Sequence, residues 1–359
     1  MKRVPLLIFG AGGVGRALVR QLIEAADLHA DRHGLALPIV AWCDSDGAAV
    51  DEAGLPAEAL RSLSAAKSAG GRLAETPLGY RQSDPAAIVD VAGADGCIVV
   101  DATASDATVP ALMLALDRGY AAATANKIPL CGPQAVFDRL VGSGRCRYES
   151  TVGSAVPVIE TARGLLRCAD EIRVVQAALS GTLGFICTGL QARQPFSDLV
   201  AEAMRRGYTE PDPRIDLGGM DVARKALILA RTLGWRLELS DVQVAAFLPA
   251  EYGILSLADC LARLPELNDA FAARAAAAQA AGEALRYTAE LREGRATVGL
   301  QAVPLDSALG RLRDNDNLVA FHTRYYPDTP LALQGRGAGV DAAAAGVHAD
   351  VIALAEQTA

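Results

Sequence analysis

The sequence predicts an α/β protein of two domains, of which the first is a doubly wound, mostly parallel sheet of the Rossmann type. Three observations predict it. An apolar run at the N-terminus ends in a glycine-rich turn, later apolar runs of strand length end in polar residues, and the pattern changes near residue 150. The 359 residues suffice for two domains of ordinary size.

Composition and charge favour small-molecule chemistry. The chain is 51% hydrophobic with a formal net charge of -8, and no basic cluster offers the footprint that a nucleic-acid backbone requires. The N-terminal apolar run is too short for a signal peptide, and no stretch of about 18 apolar residues predicts a membrane span, so we expect a cytoplasmic protein. The seven cysteines and four histidines lack the spacings of a disulfide framework or a zinc site.

The first element pair is a strand over residues 4–9, followed by a glycine turn and a helix. The turn reads Gly10-Ala11-Gly12-Gly13-Val14-Gly15, which has the G-x-G-x-x-G spacing of a dinucleotide-binding turn. In such a turn the first glycine permits the tight bend, the second lets the backbone approach a pyrophosphate, and the third lets helix and strand pack closely. We therefore expect a cofactor contact along Gly10, Gly12, Gly13, Val14 and Gly15.

A second strand over residues 38–44 ends in Asp44. A carboxylate at this place accepts hydrogen bonds from the adenosine ribose and repels a 2′-phosphate. Since no basic residue lies between Arg32 and Arg61, the sequence favours NAD over NADP. Asp46 fits the same role, or alternatively that of a turn residue.

Two later strands bring polar residues to the same edge of the sheet. One covers residues 97–101 and precedes Thr103, and the next ends in Asn126-Lys127. The ligand crevice of a doubly wound sheet lies at the carboxyl ends of its strands, so we expect Lys127 to lie beside the cofactor.

Lysine is rare in this chain. Of 34 basic side chains only four are lysines, namely Lys2, Lys67, Lys127 and Lys225. An ammonium group can release a proton near neutral pH whereas a guanidinium cannot, which makes the lysines candidates for proton transfer; a chance residue of biased composition is the alternative. Asp221 and Lys225 stand four apart on a helix predicted over residues 220–233, so they share one face, either as part of a site or as a surface ion pair.

The remaining elements define the second domain. We expect helices near residues 156–166 and 196–206, a strand over 171–180, a loop over 207–219 and an alanine-rich helix over 270–284. A second glycine turn, over residues 333–339, precedes a helix from Asp341 and can return to the nucleotide site. The predicted domains are 1–150 with 315–359, for the nucleotide, and 151–314.

These segments together resemble homoserine dehydrogenases over nearly the whole chain. The resemblance rests on the first glycine turn and on residues 124–127, 148–153 and 179–183, and above all on residues 207–225, GYTEPDPRIDLGGMDVARK. It implies NAD(P)-dependent interconversion of L-homoserine and L-aspartate 4-semialdehyde, in threonine and methionine biosynthesis. It also implies a homodimer whose second, α+β domain binds the substrate and forms the dimer interface.

The resemblance assigns roles to single residues. Lys225 transfers the proton, Lys127 lies between nicotinamide and substrate, and Thr103 and Gly337 contact the cofactor. The substrate-binding residues are Glu210, Asp216, Asp221, Ser180, Gly181 and Thr182. A structural monovalent cation, usually sodium, is implied at Glu149, Val152, Ser154 and Val156.

Reduction of an aldehyde by hydride places negative charge on its oxygen, and the Lys225 ammonium can stabilise and protonate that oxygen. The oxidation direction needs a neutral amine, so we expect it to favour alkaline pH. The ammonium of an amino-acid substrate needs carboxylates, for which Glu210 is placed with Asp216 or Asp221. The substrate carboxylate needs donors such as the backbone N–H groups near Gly181.

The chain departs from the family in two places. Asp341 and the alanines after it replace a helix start that usually contains threonine, and the sequence stops at Ala359 without a regulatory amino-acid-binding domain or an aspartate kinase module. We therefore expect no threonine feedback through such a domain. Two other functions stay open, an oxidoreductase for another amino-acid semialdehyde or a free amine, and a non-enzymatic sensor of NAD(H).

Overall fold

The computed structural model describes residues 1–337 and 339–357, and the chain divides into two compact units. The first unit comprises residues 1–155 together with the segment that begins at Gly339, and the second comprises residues 156–338. The expected boundaries at 150/151 and 314/315 therefore move to 155/156 and 338/339. The larger shift arises because residues 316–336 supply two strands to the sheet of the second unit. Predictions for Ala338 and for residues 358–359 lie outside the described residues.

The first unit is built on a mostly parallel sheet whose two strands at one edge pair antiparallel with their neighbours. Its strands are β1 (Lys2–Arg3), β2 (Leu6–Phe9), β3 (Leu35–Ala36), β4 (Ile39–Cys43), β5 (Gly47–Val50), β6 (Gly79–Arg81), β7 (Ile98–Asp101), β8 (Ala121–Thr124) and β9 (Cys146–Arg147). The seven-stranded order is β6-β5-β4-β2-β7-β8-β9, with β1 paired to β3 separately. Since β4 is added on one side of β2 and β7 on the other, the predicted doubly wound topology is confirmed.

Helices cover this sheet, so its central strands β2, β4, β7 and β8 are buried at every position. The helices are α1 (Gly13–Glu24), α2 (Ala26–Leu28), α3 (Ala57–Ser68), α4 (Pro85–Ala92), α5 (Val109–Asp117), α6 (Ile128–Cys131) and α7 (Gln134–Gly142). The C-terminal helix, Val340–Gln357, packs on α1 and buries Val347, Val351 and Leu354 in the same core as Leu18. Each such side chain stabilises the unit by about 1.5–3 kcal/mol, so this helix completes the core of the first unit.

The second unit is an α+β arrangement. Its strands are β10 (Ile172–Ala178), β11 (Gln243–Val244), β12 (Glu283–Arg292), β13 (Arg295–Pro304), β14 (Asp316–Thr323) and β15 (Leu331–Arg336), in the order β11-β13-β12-β10-β14-β15. Its helices are α8 (Val158–Arg167), α9 (Gly181–Gln191), α10 (Phe196–Arg205), α11 (Arg214–Leu217), α12 (Met220–Thr232), α13 (Leu257–Arg263) and α14 (Asn268–Ala280). The expected helices, the expected strand before Ser180 and the α+β class are confirmed.

Some boundaries differ from the expected ones. The alanine-rich helix α14 ends at Ala280 because Gly282 takes a left-handed conformation, with φ of 74°, and β12 follows at once. The expected loop over 207–219 contains the short helix α11, and β15 extends into the expected second glycine turn. Within residues 1–337 and 339–357, no helix combines the length and the apolar character that a bilayer crossing needs.

Candidate functional site

The first glycine turn has the geometry that a pyrophosphate requires. Gly10 has φ of 103°, and a Cβ on it would lie 2.6 Å from the Ala102 carbonyl oxygen. A Cβ on Gly15 would lie 1.8 Å from the Gly10 carbonyl oxygen, so only glycine lets α1 start this close to β2. Gly12 is exposed with open space beside it, while Gly13 and Val14 begin α1. The turn therefore fits a dinucleotide on its backbone, with the five predicted residues as its frame.

The carboxylate of Asp44 is not directed towards a ligand. Its side chain is 7% exposed, and Oδ1 accepts from the backbone N–H groups of Asp46 at 3.0 Å and Gly47 at 2.9 Å. Oδ2 accepts from Lys67 Nζ at 2.7 Å and from the Leu73 N–H at 2.9 Å. Burial alone raises the pKa of Asp44, but the hydrogen bonds from Lys67 and the backbone lower it below its usual value.

The two sequence observations that favoured NAD, a free Asp44 carboxylate and no basic residue beside it, therefore differ from what the structure has. Both carboxylate oxygens of Asp44 accept hydrogen bonds within the protein, from its own loop, from Leu73 and from Lys67 of α3. Asp44 therefore fixes the loop after β4 instead of offering an acceptor to a ribose. Lys67, which lies outside the interval between Arg32 and Arg61, places a positive charge at the end of β4. Asp46 is half exposed and pairs with Arg72 at 3.2 Å.

A buried network joins the carboxyl ends of β7 and β8. Asp101 is fully buried, and its Oδ1 accepts from the backbone N–H of Thr103 at 2.9 Å and from the Thr103 hydroxyl at 2.7 Å. Its Oδ2 accepts from the Thr108 hydroxyl at 2.6 Å and from Asn126 Nδ2 at 3.0 Å. Four donors thus compensate the buried carboxylate, and Thr103 is held at the edge where the ligand crevice is expected.

The Asn126 side chain also fixes the backbone next to Lys127. Asn126 Oδ1 accepts from the Ile128 N–H at 3.0 Å, and its Nδ2 also donates to the Ser105 carbonyl at 2.7 Å. The backbone on both sides of Lys127 is thereby fixed, and Lys127 is the N-cap residue of α6, with a half-buried side chain. The structure places Lys127 at the predicted sheet edge, and its catalytic role stays a prediction.

In the second unit, Lys225 and Asp221 form the pair that their spacing predicted. Lys225 Nζ lies 2.8 Å from Asp221 Oδ2, and it also donates to the Leu179 carbonyl at 2.7 Å, just after β10. The Lys225 side chain is 12% exposed, whereas that of Asp221 is 47% exposed. A lysine held this deeply by two acceptors differs from a mobile surface ion pair.

Asp216 joins the segment after α10 to the start of α9. Its Oδ2 accepts from the Glu210 N–H at 2.8 Å, and its Oδ1 accepts from the Thr182 hydroxyl at 3.3 Å. The Thr182 hydroxyl also lies 2.5 Å from the Tyr208 carbonyl oxygen. Burial, with the negative charges of Glu210 and Asp221, raises the pKa of Asp216.

The predicted substrate residues therefore come together within the second unit. Ser180 is the N-cap of α9, where its hydroxyl accepts from the Leu183 N–H at 3.2 Å. Gly181 and Thr182 follow as the first helical residues, and such residues have backbone N–H groups without an acceptor inside the helix. One ammonium group, three carboxylates and a helix N-terminus thus belong to one cluster.

The residues implied for a monovalent cation lie on both sides of the unit boundary. Glu149 and Val152 are buried in the first unit, Ser154 has an unusual φ of 60°, and Val156 begins the second unit. Carboxylate and carbonyl oxygens are the donors that hard cations prefer, so the residue types fit a sodium ion. Its presence stays a prediction.

Gly337 follows β15 and is buried. A Cβ there would lie 1.7 Å from the Asn317 side chain, which by itself accounts for a glycine at this position. A cofactor contact at Gly337 stays a prediction.

Sequence reasoning missed two residues at these sites. Lys67 was noted only as one of four lysines, and Asp101 only as a strand end. Both act through partners more than 20 positions away, Asp44 and Asn126 respectively, which no local pattern reports.

Comparison with known proteins identifies the family. The family model for homoserine dehydrogenase matches residues 157–352, more than half of this chain. The chain belongs to the homoserine dehydrogenase family. The resemblance drawn from the sequence is thereby confirmed.

Homoserine dehydrogenase relatives differ in how much of them this chain covers. The homoserine dehydrogenase of Paracoccidioides brasiliensis is 33% identical over 374 residues, which is 99% of each chain. The bifunctional aspartokinase/homoserine dehydrogenase of Haemophilus influenzae is 34% identical over 360 residues, 98% of this chain and 43% of that protein. A bifunctional chloroplastic relative from Zea mays is covered over 29% of its length. The chain thus spans less than half of these bifunctional relatives.

Solved structures share the fold. A putative homoserine dehydrogenase from Archaeoglobus fulgidus matches with a TM-score of 0.78 and 25% identity, over 98% of each chain. A Candida auris protein of unknown function matches with a TM-score of 0.86 and 29% identity, over 99% of each chain. A hyperthermophilic archaeal homoserine dehydrogenase in complex with NADPH has the same fold, with a TM-score of 0.75 and 22% identity, over 98% of this chain and 97% of that chain.

Proposed function

We propose that this chain interconverts L-homoserine and L-aspartate 4-semialdehyde, as its family implies. The observation that carries the proposal is the nearly buried Lys225 ammonium, held by Asp221 and the Leu179 carbonyl within a cluster of carboxylates. When bound, NAD or NADP supplies or accepts the hydride. The open glycine turn supports dinucleotide binding in the first unit.

Lys225 has the right geometry for a proton donor. An ammonium group has three donor hydrogens, of which Asp221 and Leu179 engage two. The third can reach a substrate oxygen, where it stabilises the growing negative charge and then protonates the alkoxide. In the oxidation direction the amine takes this proton back, which is why we expect faster oxidation at higher pH.

The surrounding charges suit an amino acid. Glu210, Asp216 and Asp221 bring three carboxylates against the single ammonium of Lys225, so the cluster attracts the substrate ammonium. The raised pKa of Asp216 has the same cause in part, because neighbouring negative charges resist a further one. The backbone N–H groups of Gly181 and Thr182, at the N-terminus of α9, suit the substrate carboxylate.

The decisive experiment measures absorbance at 340 nm with homoserine and either cofactor. Lys225→Arg keeps the charge but loses the transferable proton, so we expect kcat to fall by about 10²–10⁴-fold. Lys2→Arg is the matched control, since Lys2 lies in the first unit, where its Nζ donates to the Ala355 carbonyl at 2.7 Å, and is not part of the Lys225 cluster; we expect near-normal turnover. A Lys225→Arg variant within threefold of the wild-type kcat would reject the assignment.

A substrate panel separates this proposal from other oxidoreductases on the same scaffold. Homoserine is tested beside other amino alcohols, and L-aspartate 4-semialdehyde beside longer semialdehydes. We expect homoserine and its semialdehyde to give the highest kcat/KM. Another substrate with a higher value would assign the chain to a different reaction.

Three further features belong to the proposal. We propose a homodimer, which sedimentation tests as twice the chain mass of 37.3 kDa, and a structural sodium ion at Glu149 and the carbonyls of Val152, Ser154 and Val156. We also propose a cytoplasmic location, supported by the seven cysteines, all within the described residues and none in a disulfide, which suits a reducing compartment.

A further inference from the structure

Two histidines from opposite ends of the chain meet at the end of α1 that is remote from the glycine turn. His29 follows α2 and begins a five-residue π-helical turn, His29–His33, and His348 lies on the C-terminal helix. Their Nε2 atoms are 2.8 Å apart, and the two ring planes are nearly perpendicular. Neither the glycine turn nor the Lys225 cluster uses this pair, so its role is separate from theirs.

The surrounding fold brings the two rings together. Lys2 Nζ donates to the Ala355 carbonyl at 2.7 Å, and His33 Nδ1 lies 2.8 Å from Glu356 Oε1, so further contacts join the same two segments. The apolar side chains of the C-terminal helix pack in the same core as those of α1. The backbone positions of both histidines are thus fixed before any ligand arrives, which lowers the entropy cost of binding one.

Both rings are uncharged at mildly alkaline pH. Burial lowers the pKa of His348 to about 4, with a further contribution from the charge of His29. Burial and the charge of His33 also lower the pKa of His29 from 6.5. A neutral imidazole is the form that binds a metal ion, so above pH 7 an ion does not have to compete with an added proton.

The spacing of the two nitrogens matches that of two ligands on one ion. Ligands at about 2.0–2.1 Å from an ion and about 90° apart lie roughly 2.8–3.0 Å from each other. The observed 2.8 Å therefore fits the edge of a square-planar or octahedral site, and it is shorter than the roughly 3.3–3.4 Å of a tetrahedral one. The ring whose Nε2 carries the hydrogen of the pair moves it to Nδ1, so both Nε2 lone pairs become available without a change of net charge.

The donor set determines the class of ion. Imidazole nitrogens favour transition metals over Mg²⁺ and Ca²⁺, and among the divalent ions of the first row Cu²⁺ binds most tightly. Within residues 1–337 and 339–357, no three His, Cys, Asp or Glu side chains are grouped so that they could hold an ion. Water therefore completes the coordination, which makes the site exchangeable. His29 is 5% exposed, whereas the partly exposed His348 gives an ion access from solvent.

We propose that His29 and His348 bind one divalent transition-metal ion, Cu²⁺ most tightly, and that this ion fastens the C-terminal helix to the segment after α1. Only residues of the first unit are involved, so the site is independent of the reaction that the chain catalyses. Because the two nitrogens are 319 positions apart in sequence and meet only in the folded chain, the ion binds the native state in preference to the unfolded state and stabilises it.

Titration with Cu²⁺ at about pH 7.5 tests the site directly. The parent protein is stripped of metal and carries Cys168→Ser, which removes an exposed thiol that would compete for copper. By isothermal calorimetry we expect one Cu²⁺ per chain, with the affinity reduced at least tenfold in His29→Gln and in His348→Gln. His322→Gln, which removes a histidine of β14 in the second unit, is the matched control and should bind within twofold of the parent.

Electron paramagnetic resonance of the bound Cu²⁺ identifies its ligands without a substitution at the site, so the test holds even where a histidine variant fails to fold. The parent spectrum should show hyperfine splitting from two nitrogen ligands. Saturating Cu²⁺ should also raise the melting temperature of the parent and leave that of the two histidine variants unchanged. Copper binding that both variants retain, a parent spectrum without two nitrogen ligands, or no binding by the parent would each overturn the proposal.

Discussion

The buried carboxylate of Asp101 makes the sharpest stability prediction. Asp101→Asn replaces one acceptor oxygen by an NH₂ group, which is itself a donor. Whichever oxygen is replaced, two donors lose their acceptor, either the two groups of Thr103 or those of Thr108 and Asn126. Hydrogen bonds to an ionised acceptor contribute about 1.5–3 kcal/mol each, and a rotating hydroxyl recovers part of the loss. We expect the first unit to lose about 3 kcal/mol.

Tryptophan fluorescence can measure this loss in the first unit alone. The chain has two tryptophans, and Trp42 is fully buried in the first unit, where its Nε1 donates to the Gly10 carbonyl at 3.2 Å. In a Trp235→Phe background, urea unfolding followed by fluorescence therefore reports on this unit.

The matched control is Asp90→Asn, which removes an exposed carboxylate paired with Arg118 on the surface of the same unit. Such a pair contributes about 0–1 kcal/mol, so the control should stay within that range. If Asp101→Asn lowered the unfolding free energy by no more than the control does, the network would not hold the two strand ends together.

Two further predictions concern charge. Glu210→Gln should raise the KM for homoserine at least tenfold because an ammonium partner is lost, whereas Glu202→Gln, on the preceding helix, should change it less than twofold; equal effects in steady-state assays would remove Glu210 from the site. Burial, followed by the charge of His29, lowers the pKa of His348 to about 4 from 6.5, and the two Nε2 atoms lie 2.8 Å apart. His348 thus stays neutral in the native protein down to about pH 4, and stability present above pH 6.5 is lost as the pH falls towards 4. We expect the melting temperature to fall more steeply over this interval in the wild type than in His348→Phe, and parallel curves would contradict the assignment.

Local patterns were sufficient wherever a site is built from neighbours in sequence. Glycine spacing predicted the turn between β2 and α1, and the four-residue spacing of Asp221 and Lys225 predicted a shared helix face that the structure confirms. Both follow from the fixed geometry of a turn and a helix.

Long-range contacts were the part that the sequence did not reveal. Lys67 Nζ donates to Asp44 from 23 positions away in the sequence, a contact that the absence of basic residues close to Asp44 in sequence does not reveal. The domain boundary near residue 315 was set too early, because β14 and β15 are recognised as part of the second unit only through their pairing with β10 and with each other. Sheet partners are chosen by tertiary packing, which no single segment specifies.

The division of the first unit between residues 1–155 and a final helix has a consequence during translation. The ribosome emits β1 to β9 and then the entire second unit before it makes Val351 and Leu354, which fill the core against α1. At about 5–20 residues per second this interval lasts on the order of ten seconds or more. During this interval the apolar surface of the first unit that the C-terminal helix covers stays exposed. The second unit, although it is made later, has all of its strands before the first unit is complete.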